Sequence, residues 1–144
     1  MEAAADITTV AHVIQQAVAP VFLLTGVGAI LSVLSSRLGR IIDRYRVFDK
    51  VAESERAEYA DEIATLLRRA RWIHWAISLC TICALFICIV IAALFIGSEA
   101  DKDPSGTIAA FFIAAMLALT TGLLCFLREI ALATGSLGLQ RRSK

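Results

Sequence analysis

Residues 17–46 read AVAPVFLLTGVGAILSVLSSRLGRIIDRYR. The first part carries no charge, and its apolar run from Ala17 to Leu34 is close to the ~20 residues a helix needs to cross a ~30 Å hydrocarbon layer. The second part turns abruptly basic, with Arg37, Arg40, Arg44 and Arg46 in close succession. Apolar residues nevertheless continue through it at Leu38, Ile41, Ile42, Tyr45 and Phe48, which is helical spacing. No proline falls between Pro20 and Pro104. One helix is therefore expected to run across a membrane and on into water.

Two more apolar segments follow, Ala76 to Gly97 and Thr107 to Leu127. With 144 residues, 58% hydrophobic content and a mean hydropathy of +0.74, the chain is too apolar and too short for a soluble multidomain protein. The expected fold is all-α, one membrane domain over 1–144. Its transmembrane helices lie at about 10–36, 72–97 and 107–129, and the first two extend into a helical hairpin at about 37–71.

The net charge of +1 conceals a strong asymmetry. Every Lys and Arg except Lys102 falls in 37–72 or in the tail from Arg128 onward. Basic residues beside membrane spans are retained in the cytoplasm. The N-terminus is thus expected outside, the hairpin and C-terminus inside, and the loop near 98–106, with Glu99, Asp101 and Asp103, outside. Glu2 and Asp6 precede the first apolar segment, whereas a cleavable signal peptide has a basic start, so none is expected. A multi-pass protein of a bacterial inner membrane is the simplest reading.

Finer features follow from local chemistry. Thr8 or Thr9 suits the cap of the first helix. Ser54 suits that of the second, with Glu55 and Glu58 in a first turn where the helix dipole favours acids. Trp72 and Trp75 mark the entry of the second span as an interfacial aromatic belt. Arg44 and Arg46 are placed against lipid headgroups. The tail beyond Thr134, with Gly135 and Gly138, is expected to fray.

Two runs carry a resemblance. Ser-Ser-Arg-Leu-Gly-Arg-Ile-Ile-Asp-Arg-Tyr-Arg at 35–46 follows the first span, and Phe-Leu-Arg-Glu-Ile-Ala-Leu-Ala at 126–133 follows the third. Both resemble recurring features of an uncharacterised family of small bacterial three-helix integral membrane proteins, catalogued as a domain of unknown function. The resemblance covers nearly the whole chain. It implies the fold and brings no activity with it. The arrangement of spans is also similar, at the level of fold alone, to that of pentameric proton-channel subunits that energise outer-membrane transport.

Candidate functional residues lie on two stripes. On the first helix Val18, Val21, Thr25, Gly28, Ser32, Ser35, Gly39 and Asp43 share a face. Small residues let helix backbones approach closely, so the stripe could be a packing seam. Around a symmetry axis the same residues could line an ion path, with Val18 and Val21 as the apolar constriction and Asp43 at the inner mouth. On the third helix Ala114, Ala118, Thr121 and Gly122 form a second small-residue stripe for helix packing, ending toward Cys125 and Glu129. A carboxylate near the membrane boundary is costly unless paired or hydrated. Arg37 and Arg40 leave the first span at a similar depth and are its candidate partners, with a role in ion or proton passage as the alternative.

Other chemistry is poorly supported. Cys80 and Cys83 form a C-x-x-C with no His, Asp or Glu beside it, so packing is expected rather than a metal site, and no cofactor is implied. His12 and His74 lie far apart in the topology and the acids at membrane depth are single, so an enzyme is not expected. The arginines are explained by topology and lipid without nucleic acid. The expected partners are the bilayer, further copies of the chain in a cyclic homo-oligomer, and inorganic ions. Two functions remain open: an ion-conducting homo-oligomer lined by the first helix, or a non-conducting scaffold or regulatory subunit whose hairpin binds a partner protein.

Overall fold

A computed structural model describes residues 2–50, 59–99 and 105–140, with side-chain environments for 11–50, 59–97 and 105–134. It is all-helical over these residues: α1 at Glu2–Asp49, α2 at Ala60–Glu99 and α3 at Ser105–Gln140. Each of the three is long and apolar enough to cross a membrane. The first helix extends 48 residues without interruption, so the apolar span and the arginine run belong to one helix, as the absence of a breaker implied. It begins well before the cap expected at Thr8 or Thr9, and Pro20 lies inside it. Pro20 removes one backbone donor, a loss that membrane helices tolerate.

The second helix starts at Ala60, where the Tyr59 carbonyl accepts the Ile63 amide at 3.0 Å. Asp61 and Glu62 occupy its first turn and complement the helix dipole. The cap expected at Ser54, with Glu55 and Glu58, lies outside the described residues, as does most of the loop near 98–106. The third helix continues to Gln140 rather than fraying after Thr134. The Thr134 hydroxyl donates back to the Ile130 carbonyl at 3.1 Å, a bond that keeps a hydroxyl satisfied within a helix.

Buried positions recur every seven residues. On α1 these are Val13, Pro20, Val27, Leu34, Ile41 and Phe48. On α2 they are Leu66, Ile73, Cys80 and Ile87, with Ala76, Cys83 and Val90 three residues after the last three. On α3 they are Ala115, Gly122 and Glu129, with Leu119 between. Such a repeat is the seam of helices meeting knobs-into-holes, and it drifts slowly around a helix of 3.6 residues per turn. Cys80 and Cys83 are fully buried seam residues, and no disulfide joins the four cysteines.

Contacts divide the chain into two units. One unit combines the α1 residues up to Ile30 with Cys80–Leu119. Val13, Ala17 and Val27 are buried there with Cys80, Cys83, Ile87, Val90, Ala115 and Leu119. Phe86 and Phe111 meet edge to face at 5.6 Å, which joins α2 to α3. The other unit combines Leu31–Leu79 with the α3 residues from Thr120. Its buried apolar residues are Leu34, Ile41, Phe48, Leu66, Ile73 and Ala76. Here the end of α1 meets the start of α2: Phe48 packs against Tyr59, just before α2, with ring centres 5.3 Å apart and the planes tilted by 38°.

The seam gives a direct test. Ala115 is 0% exposed, so Ala115→Leu should overpack it and cost about 1–3 kcal/mol. Gly28 has no atom within 4 Å of where a side chain would begin, so Gly28→Leu should leave the stability of the single chain unchanged or slightly raised. Unfolding of both variants in detergent, followed by circular dichroism, measures the difference.

Candidate functional site

The second unit contains a carboxylate out of reach of water. Glu129 on α3 is 0% exposed, the one buried polar or charged side chain among the described residues. Its seam position follows from the seven-residue step Ala115, Gly122, Glu129. From α2, Arg69 donates through both Nε and Nη2 to Glu129 Oε1, at 3.1 and 2.8 Å. From α1, Arg37 Nη2 stands 3.3 Å from Glu129 Oε2. That oxygen accepts no hydrogen bond, so the attraction to Arg37 is electrostatic rather than aligned. Arg37 also lies over the Phe126 ring, 5.3 Å from its centre and one turn from Glu129 on α3. One acid therefore ties three helices of this unit together.

Burial decides how much this matters. Isolating a carboxylate from water costs several kcal/mol even after relaxation, and only close counter-charges offset it. Both arginines are themselves largely shielded, with side chains 22% and 27% exposed. A second ion pair lies farther along the α1–α2 contact. Arg44 donates to Glu62 Oε1 from Nε at 3.2 Å and from Nη2 at 2.8 Å. Its side chains are 57% and 41% exposed, so water screens it and its contribution is small. Arg44 also covers the Phe48 ring at 5.1 Å.

Several residues singled out in the sequence now have places. Of the two arginines considered for Glu129, Arg37 reaches it. Arg40 does not: it is exposed, and the second partner is Arg69. In the sequence the basic run is a topology signal, and Arg69 is one charge among its neighbours. A signal was present. Arg69 stands three residues after Leu66, the register that Ala76, Cys83 and Val90 occupy in later heptads. A charge on that seam requires an opposite charge facing it.

Arg44, assigned to lipid headgroups, is engaged by Glu62, while Arg46 is exposed. Trp75 is 56% exposed, and Trp72 carries the Arg128 guanidinium 6.0 Å from its ring centre. On α3 the buried line shares Gly122 and Glu129 with the expected stripe and differs from it at the other positions. Ala115, Leu119 and Gly122 face inward, Ala114 and Ala118 are half-buried, and Thr121 is exposed.

The α1 stripe faces away from the chain's own core. Val18 and Val21 are 46% and 49% exposed, and Thr25, Gly28, Ser32 and Asp43 are exposed too. The Thr25 hydroxyl bonds its own helix at the Val21 carbonyl, 3.4 Å away. Among the described residues no group of three His, Cys, Asp or Glu is placed to hold a metal ion.

The buried carboxylate should be sensitive to substitution. Glu129→Leu leaves two guanidiniums without their counter-charge and should destabilise the protein by about 3–5 kcal/mol; Arg69→Leu removes the acid's hydrogen-bond donor, leaves it only the unaligned Arg37, and should cost nearly as much. Arg40→Gln should change stability by less than about 0.5 kcal/mol. Denaturant unfolding in micelles compares the three, and equal shifts would exclude a special role for the buried pair.

No curated protein and no solved structure matches the chain. A family model does match, across residues 17–139, and so reaches from Ala17 on α1 through α2 and nearly all of α3, including Glu129 and both arginines that hold it. The chain belongs to the family described as Protein of unknown function (DUF2721).

Proposed function

We propose that this multi-pass membrane protein assembles as a cyclic homo-oligomer in a bacterial inner membrane, with α1 facing the symmetry axis and lining an ion path. In this reading the N-terminus is outside, and the hairpin at 37–71 and the C-terminus are cytoplasmic. The charge asymmetry supports that orientation.

One observation supports the assembly most. The polar and small residues of α1 are unused by the chain's own packing: Thr25, Gly28, Ser32 and Asp43 are all exposed. Nothing lies within 4 Å of the space a side chain would occupy at Gly26, Gly28 or Gly39. Facing lipid, glycines and hydroxyls gain nothing. Facing another copy, they allow close backbone approach. Around an axis, hydroxyl and carbonyl oxygens can replace part of an ion's hydration shell, and a ring of Asp43 carboxylates favours cations.

A second reading draws on the hairpin. Ile42, Tyr45, Val47 and Leu67 are 42%, 39%, 59% and 51% exposed, beyond the expected end of the first span. Apolar surface facing water marks interaction sites when it is contiguous. These residues support a non-conducting scaffold that docks a partner protein.

Orientation is tested with an impermeant thiol reagent added to intact cells. Cysteine introduced at Ser98 should react and cysteine at Ser54 should not; the reverse would overturn the orientation.

Conduction is tested in reconstituted liposomes. Wild-type protein should carry cation flux above that of empty vesicles, Asp43→Asn should reduce its cation selectivity, and Val21→Ser should raise the flux by wetting the constriction. Absence of flux across pH and voltage would favour the scaffold, and a strictly monomeric protein in detergent would remove the axis altogether.

A further inference from the structure

The α1–α2 contact of the second unit encloses a cleft of about 470 Å³, lined by Arg37, Arg40, Ile41, Arg44, Leu66 and Arg69. Four of its six lining residues are arginines. Three of them, with Ile41, are spaced i, i+3, i+4, i+7 along α1, which puts them on one helix face. Like charges at such spacing repel and destabilise a helix by a few tenths of a kcal/mol per pair. Carboxylates offset only part of this repulsion. Glu129 serves both Arg37 and Arg69, and Glu62 serves Arg44. Among the described residues no carboxylate pairs with Arg40. Among the described residues four guanidiniums thus face two acids, two positive charges more than their carboxylate partners supply.

The arrangement is also held in place. Glu129 and the Phe126 ring fix Arg37, Glu129 fixes Arg69, and Glu62 and the Phe48 ring fix Arg44. Each guanidinium carries five N–H donors, so those not spent on carboxylates remain for another acceptor. Arginine forks match the oxygen geometry of phosphate, which several of them can share. Depth narrows the source. Arg37 follows the uncharged apolar run of α1 directly, and Arg69 lies three residues before Trp72, where the second apolar segment begins. The cleft stands where lipid headgroups stand, and basic pockets between membrane helices take anionic headgroups.

We propose that this cleft is a binding site for a phosphate-bearing anion, the phosphodiester headgroup of an anionic lipid, with Arg40 as the arginine that no carboxylate among the described residues engages. The site requires only that these residues lie at a membrane surface. It is independent of whether the protein conducts or how many copies assemble.

The test is thermal unfolding of the purified full chain in neutral detergent at 0.15 M salt, where the ~8 Å Debye length limits diffuse attraction. Short-chain phosphatidylglycerol, the matching phosphatidylcholine and inorganic phosphate are titrated in parallel. Phosphatidylglycerol should raise the unfolding temperature saturably and phosphatidylcholine should not. Arg40→Gln should unfold at the wild-type temperature without lipid yet need about tenfold more phosphatidylglycerol, a ratio corresponding to ~1.4 kcal/mol. Arg46→Gln removes an equal charge outside the cleft and should bind as wild type does. Stabilisation by inorganic phosphate equal to that by phosphatidylglycerol would overturn the lipid as source. Equal weakening by Arg40→Gln and Arg46→Gln, or no preference for phosphatidylglycerol over phosphatidylcholine, would overturn the site.

Discussion

A single carboxylate, withdrawn from water and held between two guanidiniums, constrains the second unit more than any apolar contact in it. Apolar packing tolerates small shifts, because neighbouring hydrophobic side chains of similar size substitute for one another at little cost. Glu129 has no such latitude. Its two arginines come from different helices, Arg37 from α1 and Arg69 from α2. A slide of α3 by one turn would put Cys125 or Ala133 where the acid belongs and leave three charges without compensation. In helices flanked by lipid, where van der Waals contacts discriminate weakly between alternative alignments, such a pin supplies register.

The same acid links packing to surface chemistry. By binding Arg37 and Arg69 it turns two flexible side chains into fixed walls of the cleft. Arg44 is held more loosely by Glu62 in water, where the ion pair itself adds little. The stability role and the binding role of the arginines therefore separate along α1. Arg37 belongs to the core and Arg44 to an exposed contact, while Arg40 between them is engaged by neither acid.

The three spans and the continuity of α1 were legible in the sequence because hydropathy and the absence of proline are strong, local signals. The rotation of each helix was not. In a soluble bundle the polar face reveals the buried one, but against lipid both faces are apolar. That is why Ala114 and Ala118 were chosen for the α3 seam where Ala115 and Leu119 occupy it. Glu129 was recognisable as a charge needing a partner, and Arg37 was a candidate from depth alone. Arg69 escaped because a residue can serve topology and packing together, and its seven-residue register emerges only once the whole buried face is known. The ends of α1 and α3 run longer than their caps and glycines suggested, since neighbouring turns outweigh weak local preferences.

That the acid sits on α3, after both arginines in the chain, has a consequence for assembly. Chains are made from the N-terminus, so α1 and α2 precede α3. Until α3 arrives, Arg37 and Arg69 have no carboxylate between them, and their mutual repulsion opposes closure of the first two helices at that level. The arrival of α3 reverses the sign of the interaction. At that level the charge interaction between the first two helices is thus repulsive without α3 and attractive with it, so their closure there depends on a residue more than fifty positions farther along the chain.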